Sequence, residues 1–197
     1  MMSAASTLQS ESEAPSAWVS RFAPLVPPGE VLDLACGNGR HARLLAGLGH
    51  PVLALDRDAD ALLKTAGVGI ATLQADLESG EAGSVWPFAV DRFSGIVVTN
   101  YLHRPLFPCI FASLAPRGVL IYETFALGNA QYGKPTNPDF LLAPGELLNL
   151  ICAHPQFSLR IVAYEDGYVA APKPAMVQRI CVIKDPGTSS SANAMLF

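Results

Sequence analysis

The residues with the clearest chemical potential lie between Val31 and Ala42, in the run Val-Leu-Asp-Leu-Ala-Cys-Gly-Asn-Gly-Arg-His-Ala. A short apolar run contains the carboxylate of Asp33, and Gly37 and Gly39 follow in a turn of small residues. Glycines permit positive φ and let a backbone approach a ligand closely. The start of the next helix offers free backbone N–H groups. The pattern therefore predicts a parallel strand that ends at a ligand-binding loop.

The carboxylate of Asp33 indicates which of two ligands, a dinucleotide or S-adenosylmethionine, such a loop binds. Residues 37–42 also satisfy the G-x-G-x-x-(G/A) fingerprint of dinucleotide-binding proteins. A pyrophosphate beside Asp33 would be repelled, because the two charges have the same sign. S-adenosylmethionine (SAM) instead carries an ammonium group, a sulfonium and no phosphate. We therefore expect SAM as cofactor, with an NAD-dependent oxidoreductase as the alternative.

Two further acids end predicted strands. Asp56 closes the run 51–55, where a carboxylate can accept both ribose hydroxyls of a nucleoside. Asp76 follows the run 70–75, where the carboxylate or the neighbouring backbone can meet the adenine amino group. His41 either touches the methionine carboxylate or packs under the N-terminal helix. The residues predicted to contact the cofactor are Asp33, Ala35, Cys36, Gly37, Asn38, Gly39, Arg40, Asp56, Arg57, Asp76, Leu77, Asn100 and Tyr101.

Residues 33–39 fill the pattern acid-x-small-small-Gly-x-Gly, with Ala35 and Cys36 at the small positions. In this the sequence resembles the class I SAM-dependent methyltransferases, over about residues 17–184. The segments 123–125 and 141–147 place a strand-end acid, a Gly/Pro-rich loop and an "LL-x-x-x-EL" helix start in succession. These segments resemble the small-molecule branch that includes tellurite-resistance-type methyltransferases. The resemblance implies methyl transfer to a small molecule; an RNA or protein acceptor and a non-catalytic SAM-binding module are the alternatives.

The periodicity of apolar residues predicts an α/β domain with helices on both faces of one sheet. Strands are predicted at 31–34, 52–55, 70–74, 95–99, 118–123, 158–164 and 176–183, and helices at 18–25, 39–48, 58–65, 106–114 and 144–153. The link between the last two strands is too short for a crossover helix, so they should form an antiparallel hairpin. The family resemblance implies a seven-stranded, mostly parallel, Rossmann-like sheet in the order 3-2-1-4-5-7-6. We expect the methyltransferase domain to span residues 16–185, between a disordered lead (1–15) and a flexible tail (186–197).

Candidate acceptor-binding residues follow the fourth and fifth strands and lie in the long loop 125–142. His103 is a candidate general base, although helix packing would also explain it. Arg104 can bind an anion bidentately. Glu123 either orients the acceptor or pairs with Arg104. We predict His103, Arg104 and Glu123 as the catalytic set; Asn100, Tyr101, Tyr132 and Lys134 are further contact candidates.

Composition excludes several classes of protein. The net charge is −4 and the 13 Lys and Arg residues are scattered, whereas nucleic-acid-binding proteins usually present a basic face. No apolar run is long enough to span a bilayer. The four cysteines show no metal-ligand spacing, so we expect no metal and predict reduced core thiols in a cytoplasmic protein. The sequence leaves the oligomeric state open.

Overall fold

The computed structural model describes residues 14–79 and 86–186. Its strands are β1 (Val31–Leu34), β2 (Val52–Asp56), β3 (Ile70–Gln74), β4 (Phe93–Thr99), β5 (Leu114–Phe125), β6 (Leu159–Val169) and β7 (Ala175–Lys184). The α-helices are α1 (Ala17–Phe22), α2 (Arg40–Gly47), α3 (Ala59–Thr65), α4 (Phe107–Ser113) and α5 (Glu146–Cys152). The predicted lead and tail fall almost entirely outside these residues, and their boundaries stay predictions.

The seven strands form one sheet in the order β3-β2-β1-β4-β5-β7-β6, which confirms the predicted topology. Strands β1 to β5 pair in parallel, and β7 runs antiparallel to both β5 and β6. Every residue of β1 and β4 is buried, because helices cover both faces at the centre of the sheet. The carboxyl ends of β1, β2, β4 and β5 therefore meet at one edge.

Two hydrophobic cores lie on opposite faces of the sheet. One includes Trp18, Phe22 and Leu45, from α1 and α2. The other includes Phe107 and Leu147, from α4 and α5. The cores pack the helices on both faces and hold the ligand-bearing loops at fixed positions along the sheet edge.

Several local predictions were wrong. The acidic segment 165–167, expected in the hairpin link, belongs to β6, so the hairpin is longer than predicted. The first helix, predicted to reach residue 25, ends at Phe22, and Leu25 lies in a 3₁₀ turn where it is 46% exposed. Cys152 is exposed and Cys109 is half-buried, so only Cys36 and Cys181 are core thiols. In each case the neighbours in space, which periodicity does not report, decide the burial.

The long loop 125–142 contains regular turns, although its apolar residues show no helix or strand periodicity. It contains 3₁₀ turns at Asn129–Gln131 and Pro138–Phe140. Backbone hydrogen bonds join its two ends, from Leu127 N–H to the Leu142 carbonyl and from Leu142 N–H to the Phe125 carbonyl. The loop is therefore a closed wall beside the end of β5.

Candidate active site

Asp33, on β1, is buried close to the first turn of α2, and it lines neither of the two cavities at this edge of the sheet. Its side chain is 1% exposed, and its Oδ2 atom has no hydrogen-bond partner among the described residues. Burial raises the pKa of Asp33 to about 7, against the lowering effects of a backbone hydrogen bond at Ala42 and of the nearby Arg40. An unpartnered buried carboxylate oxygen is costly. The site therefore favours a cationic or hydrogen-bond-donating ligand group at this point.

The glycine loop adopts the left-handed backbone conformations that its sequence predicts. Gly37 has φ of 52° and Gly39 has φ of 75°. A Cβ atom on Gly39 would lie 2.4 Å from Cγ2 of Thr65, whereas one on Gly37 would meet nothing within 4 Å. Gly39 is thus required for the packing of α2 against α3, and Gly37 faces open space. The Thr65 hydroxyl also lies 2.9 Å from the Gly37 carbonyl oxygen, which secures the loop.

Asp56 connects the end of β2 to the glycine loop. Its Oδ2 accepts a hydrogen bond from the Gly37 backbone N–H at 2.8 Å, and its Oδ1 accepts one from the Asp58 N–H at 3.0 Å. A carboxylate offers about four acceptor positions. Asp56 therefore keeps free lone pairs, on a carboxylate whose orientation is already fixed by the backbone.

A small cavity opens beside these residues, with a volume of about 120 Å³. It is lined by Leu34, Ala35, Leu55, Asp56, Arg57, Ala75, Asp76, Leu77, Glu78 and Tyr101. Six of these residues were predicted to contact the cofactor: Ala35, Asp56, Arg57, Asp76, Leu77 and Tyr101. The fold thus places Tyr101 and the ends of three strands, β1, β2 and β3, around one cavity.

A larger cavity adjoins the small one and has a volume of about 560 Å³. Its lining residues are Arg57, Glu78, Asn100, Tyr101, Leu102, Thr124, Phe125, Lys134, Pro135, Thr136, Asn137 and Phe140. Sequence reasoning identified Asn100, Tyr101 and Lys134 as acceptor contacts. It missed Thr124, Phe125, Asn137 and Phe140 as individual residues, although the long loop was a signal that this segment forms a wall. Burial and the nearby Glu78 carboxylate raise the pKa of Tyr101, so its phenol stays protonated at neutral pH.

His41 packs beneath the N-terminal helix, which is the second of its two predicted alternatives. It is 1% exposed, and its Nε2 accepts a hydrogen bond from the Ser16 N–H at 3.0 Å. The ring proton is therefore on Nδ1, which lies 3.3 Å from the Thr99 hydroxyl. Burial, together with Arg40, lowers the pKa of His41 to about 3, so the ring is neutral.

Of the two alternatives for Glu123, the ion pair with Arg104 was wrong. Glu123 accepts a hydrogen bond from the Ser16 hydroxyl at 2.9 Å and pairs with Arg179 at 3.3 Å. Both of its oxygens are therefore occupied: Oε1 holds Ser16, the N-cap of α1, and Oε2 pairs with Arg179 on the neighbouring strand β7. No local signal indicated this pairing, because Arg179 lies on β7, more than fifty residues further along the chain.

Arg104 joins the long loop to α5. It forms a bidentate pair with Glu146 and donates to the backbone carbonyls of Asp139 and Leu141. The hydrogen bonds between Arg104 and Glu146 raise the pKa of the arginine and lower the pKa of the carboxyl. His103 precedes Arg104 and is half-buried, but it is not among the residues that line the larger cavity. The three predicted catalytic residues are thus not brought together around one space.

Two kinds of site were not found within residues 14–79 and 86–186. No group of three or more His, Cys, Asp or Glu side chains is arranged to hold a metal ion. No helix in those ranges combines the length and hydropathy that crossing a membrane requires.

Comparison with known proteins gives one family match and many structural neighbours. Residues 8–154 match the family described as a methyltransferase domain. No curated protein matches the sequence. Three of the similar solved structures are TehB from Haemophilus influenzae, a SAM-dependent methyltransferase from Mesorhizobium loti, and geranyl diphosphate C-methyltransferase from Streptomyces coelicolor.

The three structures agree with this fold at low sequence identity. TehB is 19% identical with a TM-score of 0.66, and the match covers 87% of this chain and 63% of TehB. The M. loti enzyme is 17% identical with a TM-score of 0.63, covering 85% of this chain and 98% of that one. The S. coelicolor enzyme is 13% identical with a TM-score of 0.60, covering 85% and 80%. Identities this low establish the shared fold and no more.

Proposed function

Because the chain belongs to the methyltransferase-domain family, we propose that it transfers a methyl group from SAM to a small-molecule acceptor. The proposed catalytic domain is residues 16–185. The observation that carries the cofactor assignment is the Oδ2 of Asp33, which is buried close to the first turn of α2 without a hydrogen-bond partner among the described residues. The ammonium group of SAM would give this oxygen the charged partner it lacks.

The remaining cofactor contacts follow from the geometry of the small cavity. Asp56 has a fixed carboxylate with free lone pairs and suits the two ribose hydroxyls. Asp76 and Leu77 line the same cavity next to the end of β3 and suit the adenine edge. Cys36, Asn38 and Arg40 belong to the glycine loop and the first turn of α2, where we expect backbone contacts to the methionine part. The S. coelicolor enzyme was crystallised with S-adenosyl-L-homocysteine, which supports a cofactor of this kind.

When bound, SAM would supply a methyl group that its sulfonium activates for in-line displacement. The protein's contribution is to orient the acceptor and exclude water. Such positioning alone can lower a barrier by about 7–11 kcal/mol. Arg104 and Glu123 already make structural ion pairs, and the phenol of Tyr101, which stays protonated at neutral pH, supplies no base. These contacts support an acceptor that arrives ionised and needs no general base; His103 stays a predicted base for an acceptor that carries a proton.

Several observations support a small-molecule acceptor. The larger cavity, about 560 Å³, is in the range of small-molecule sites. The net charge of −4 disfavours a polyanionic RNA acceptor. The S. coelicolor enzyme was crystallised in complex with geranyl diphosphate, a small molecule.

Calorimetric titration of the purified protein with SAM and, separately, with NAD tests the proposal. We expect SAM to bind with micromolar affinity and NAD to give no signal. In Asp33→Ala the affinity for SAM should fall sharply, because the ammonium loses its partner. Binding of NAD alone, or an Asp33→Ala variant with unchanged SAM affinity, would contradict the assignment. A steep loss of RNA binding with added salt would instead favour an RNA acceptor.

A further inference from the structure

The described lining of the larger cavity holds two cationic side chains and one carboxylate, although the chain as a whole is acidic. Arg57 and Lys134 line it, and neither forms an ion pair with another described residue. Among the described residues, Glu78 is the one carboxylate of the lining, and it lies beside Tyr101, on the side shared with the small cavity. On the side facing the long loop, no carboxylate of residues 14–79 and 86–186 lines the cavity beside the ammonium of Lys134.

The same cavity is also lined by apolar side chains. Phe125, at the end of β5, and Phe140, in the long loop, contribute aromatic rings, and Leu102 and Pro135 add aliphatic surface. Rings of this kind pack against flat apolar groups. A volume of about 560 Å³ far exceeds the needs of an inorganic oxyanion of a few atoms. The lining thus matches a ligand with both a charge and an apolar body.

The backbone that carries Lys134 is fixed by a buried amide. Asn129 is 1% exposed, its Nδ2 donates to the Pro135 carbonyl at 3.2 Å, and its Oδ1 accepts from the Met176 N–H at 3.2 Å. The Gly133 N–H donates to the Asn129 carbonyl at 3.2 Å. Residues on both sides of Lys134 are therefore tied to the start of β7. This distinguishes Lys134 from an ordinary surface lysine, because its Cα position is set by the core.

We infer that the larger cavity selects organic anions with a flat apolar body, and that Lys134 pairs with the anionic group. This inference rests on the proposed function, since it assigns the chemical class of the methyl acceptor. Lys134 acts as a specificity-determining residue, and Asn129 acts through it as a positioning residue.

The test compares two ligands of similar size and shape, of which only one carries a negative charge. Benzoate and benzamide are titrated into protein saturated with S-adenosylhomocysteine, and binding is followed by ligand-observed NMR. We expect benzoate to bind the unmodified protein more tightly than benzamide. Lys134→Gln should weaken benzoate binding by about three- to fivefold, the range of a partly exposed ion pair, and Lys134→Glu should weaken it further. Benzamide affinity should not change in either variant.

Lys173 provides the matched control. It is an exposed lysine that precedes a proline, as Lys134 does, and it does not line the cavity. Lys173→Gln should therefore leave benzoate binding unchanged. If the unmodified protein binds S-adenosylhomocysteine but binds benzoate no better than benzamide, or if Lys134→Glu keeps full benzoate affinity, the inference is overturned and the proposed function stands. Failure to bind S-adenosylhomocysteine at all overturns both.

Discussion

Replacing Asp33 by asparagine should remove a loss of stability that the cofactor-free protein shows as pH rises, while it weakens SAM binding. The folded-state pKa of Asp33 is about 7, against 3.8 for the free group. At a pH between these two pKa values, Asp33 keeps its proton in the folded protein but has lost it in the unfolded chain. The free energy of unfolding therefore falls as pH rises through this range. The loss begins near pH 3.8 and levels off above pH 7.

The magnitude follows from the two pKa values. From pH 5 to pH 8 the ionisation of Asp33 removes about 2–3 kcal/mol of unfolding free energy, and Asp33→Asn abolishes this loss. The new amide also leaves a buried N–H group unsatisfied, which costs about 1–3 kcal/mol at every pH. The two proteins differ in unfolding free energy at each pH. Subtracting the difference at pH 5 from the difference at pH 8 cancels that constant cost.

Urea denaturation of both proteins at pH 5 and pH 8 measures this quantity, with SAM titrations in parallel. Asp60→Asn is the control, because Asp60 is an exposed carboxylate in the first turn of α3. We expect a relative gain of about 2–3 kcal/mol for Asp33→Asn at the higher pH and none for Asp60→Asn. An equal effect of Asp33→Asn at both values of pH would refute the view that Asp33 is a desolvated, unpartnered acid.

Three further predictions concern the glycine loop and the N-terminal helix. Gly39→Ala should lower the unfolding free energy by about 1–3 kcal/mol in urea denaturation, because its Cβ would meet Thr65 and its φ is positive; an unchanged midpoint would contradict the packing argument. His41 has a folded-state pKa of about 3 against 6.5, so stability should fall as pH drops below 6.5. The loss by pH 5 should be about 2 kcal/mol, and it should be absent in His41→Gln; an identical pH profile in that variant would exclude a buried neutral imidazole. Glu123→Gln should loosen α1 and speed amide hydrogen exchange over residues 17–22, with Glu30→Gln as the control; unchanged exchange would mean that the bonds to Ser16 and Arg179 contribute little.

The order of elements and the cofactor loop were predictable because both depend on local signals. The apolar runs of β1 and β4, the glycines at 37 and 39, and the Asp58 cap of α3 each reflect backbone or burial preferences within a few residues. The carboxyl ends of parallel strands meet at one edge in any such sheet. The sequence therefore also indicated that Asp56, Asp76 and Asn100 would share a site.

The partners of the charged residues were not predictable, because they join positions distant in the sequence. Arg179 reaches Glu123 across 56 residues, and Arg104 reaches Glu146 across 42. The distances within these pairs are set only by the packed sheet and loop. The same holds for the acceptor cavity, whose walls come from β4, β5 and the long loop.

The sequence by itself thus determined the α/β class, the succession of elements, the glycine loop and the three strand-end acids, since each depends on local periodicity or backbone conformation, while the strand order came from the family resemblance. Only the tertiary structure decided that one carboxylate oxygen of Asp33 is buried without a partner among the described residues, that His41 and Glu123 hold the N-terminal helix, and that Lys134 faces an aromatic cavity. Burial and pairing are properties of the neighbours in space, and these are set by the packing of the whole chain.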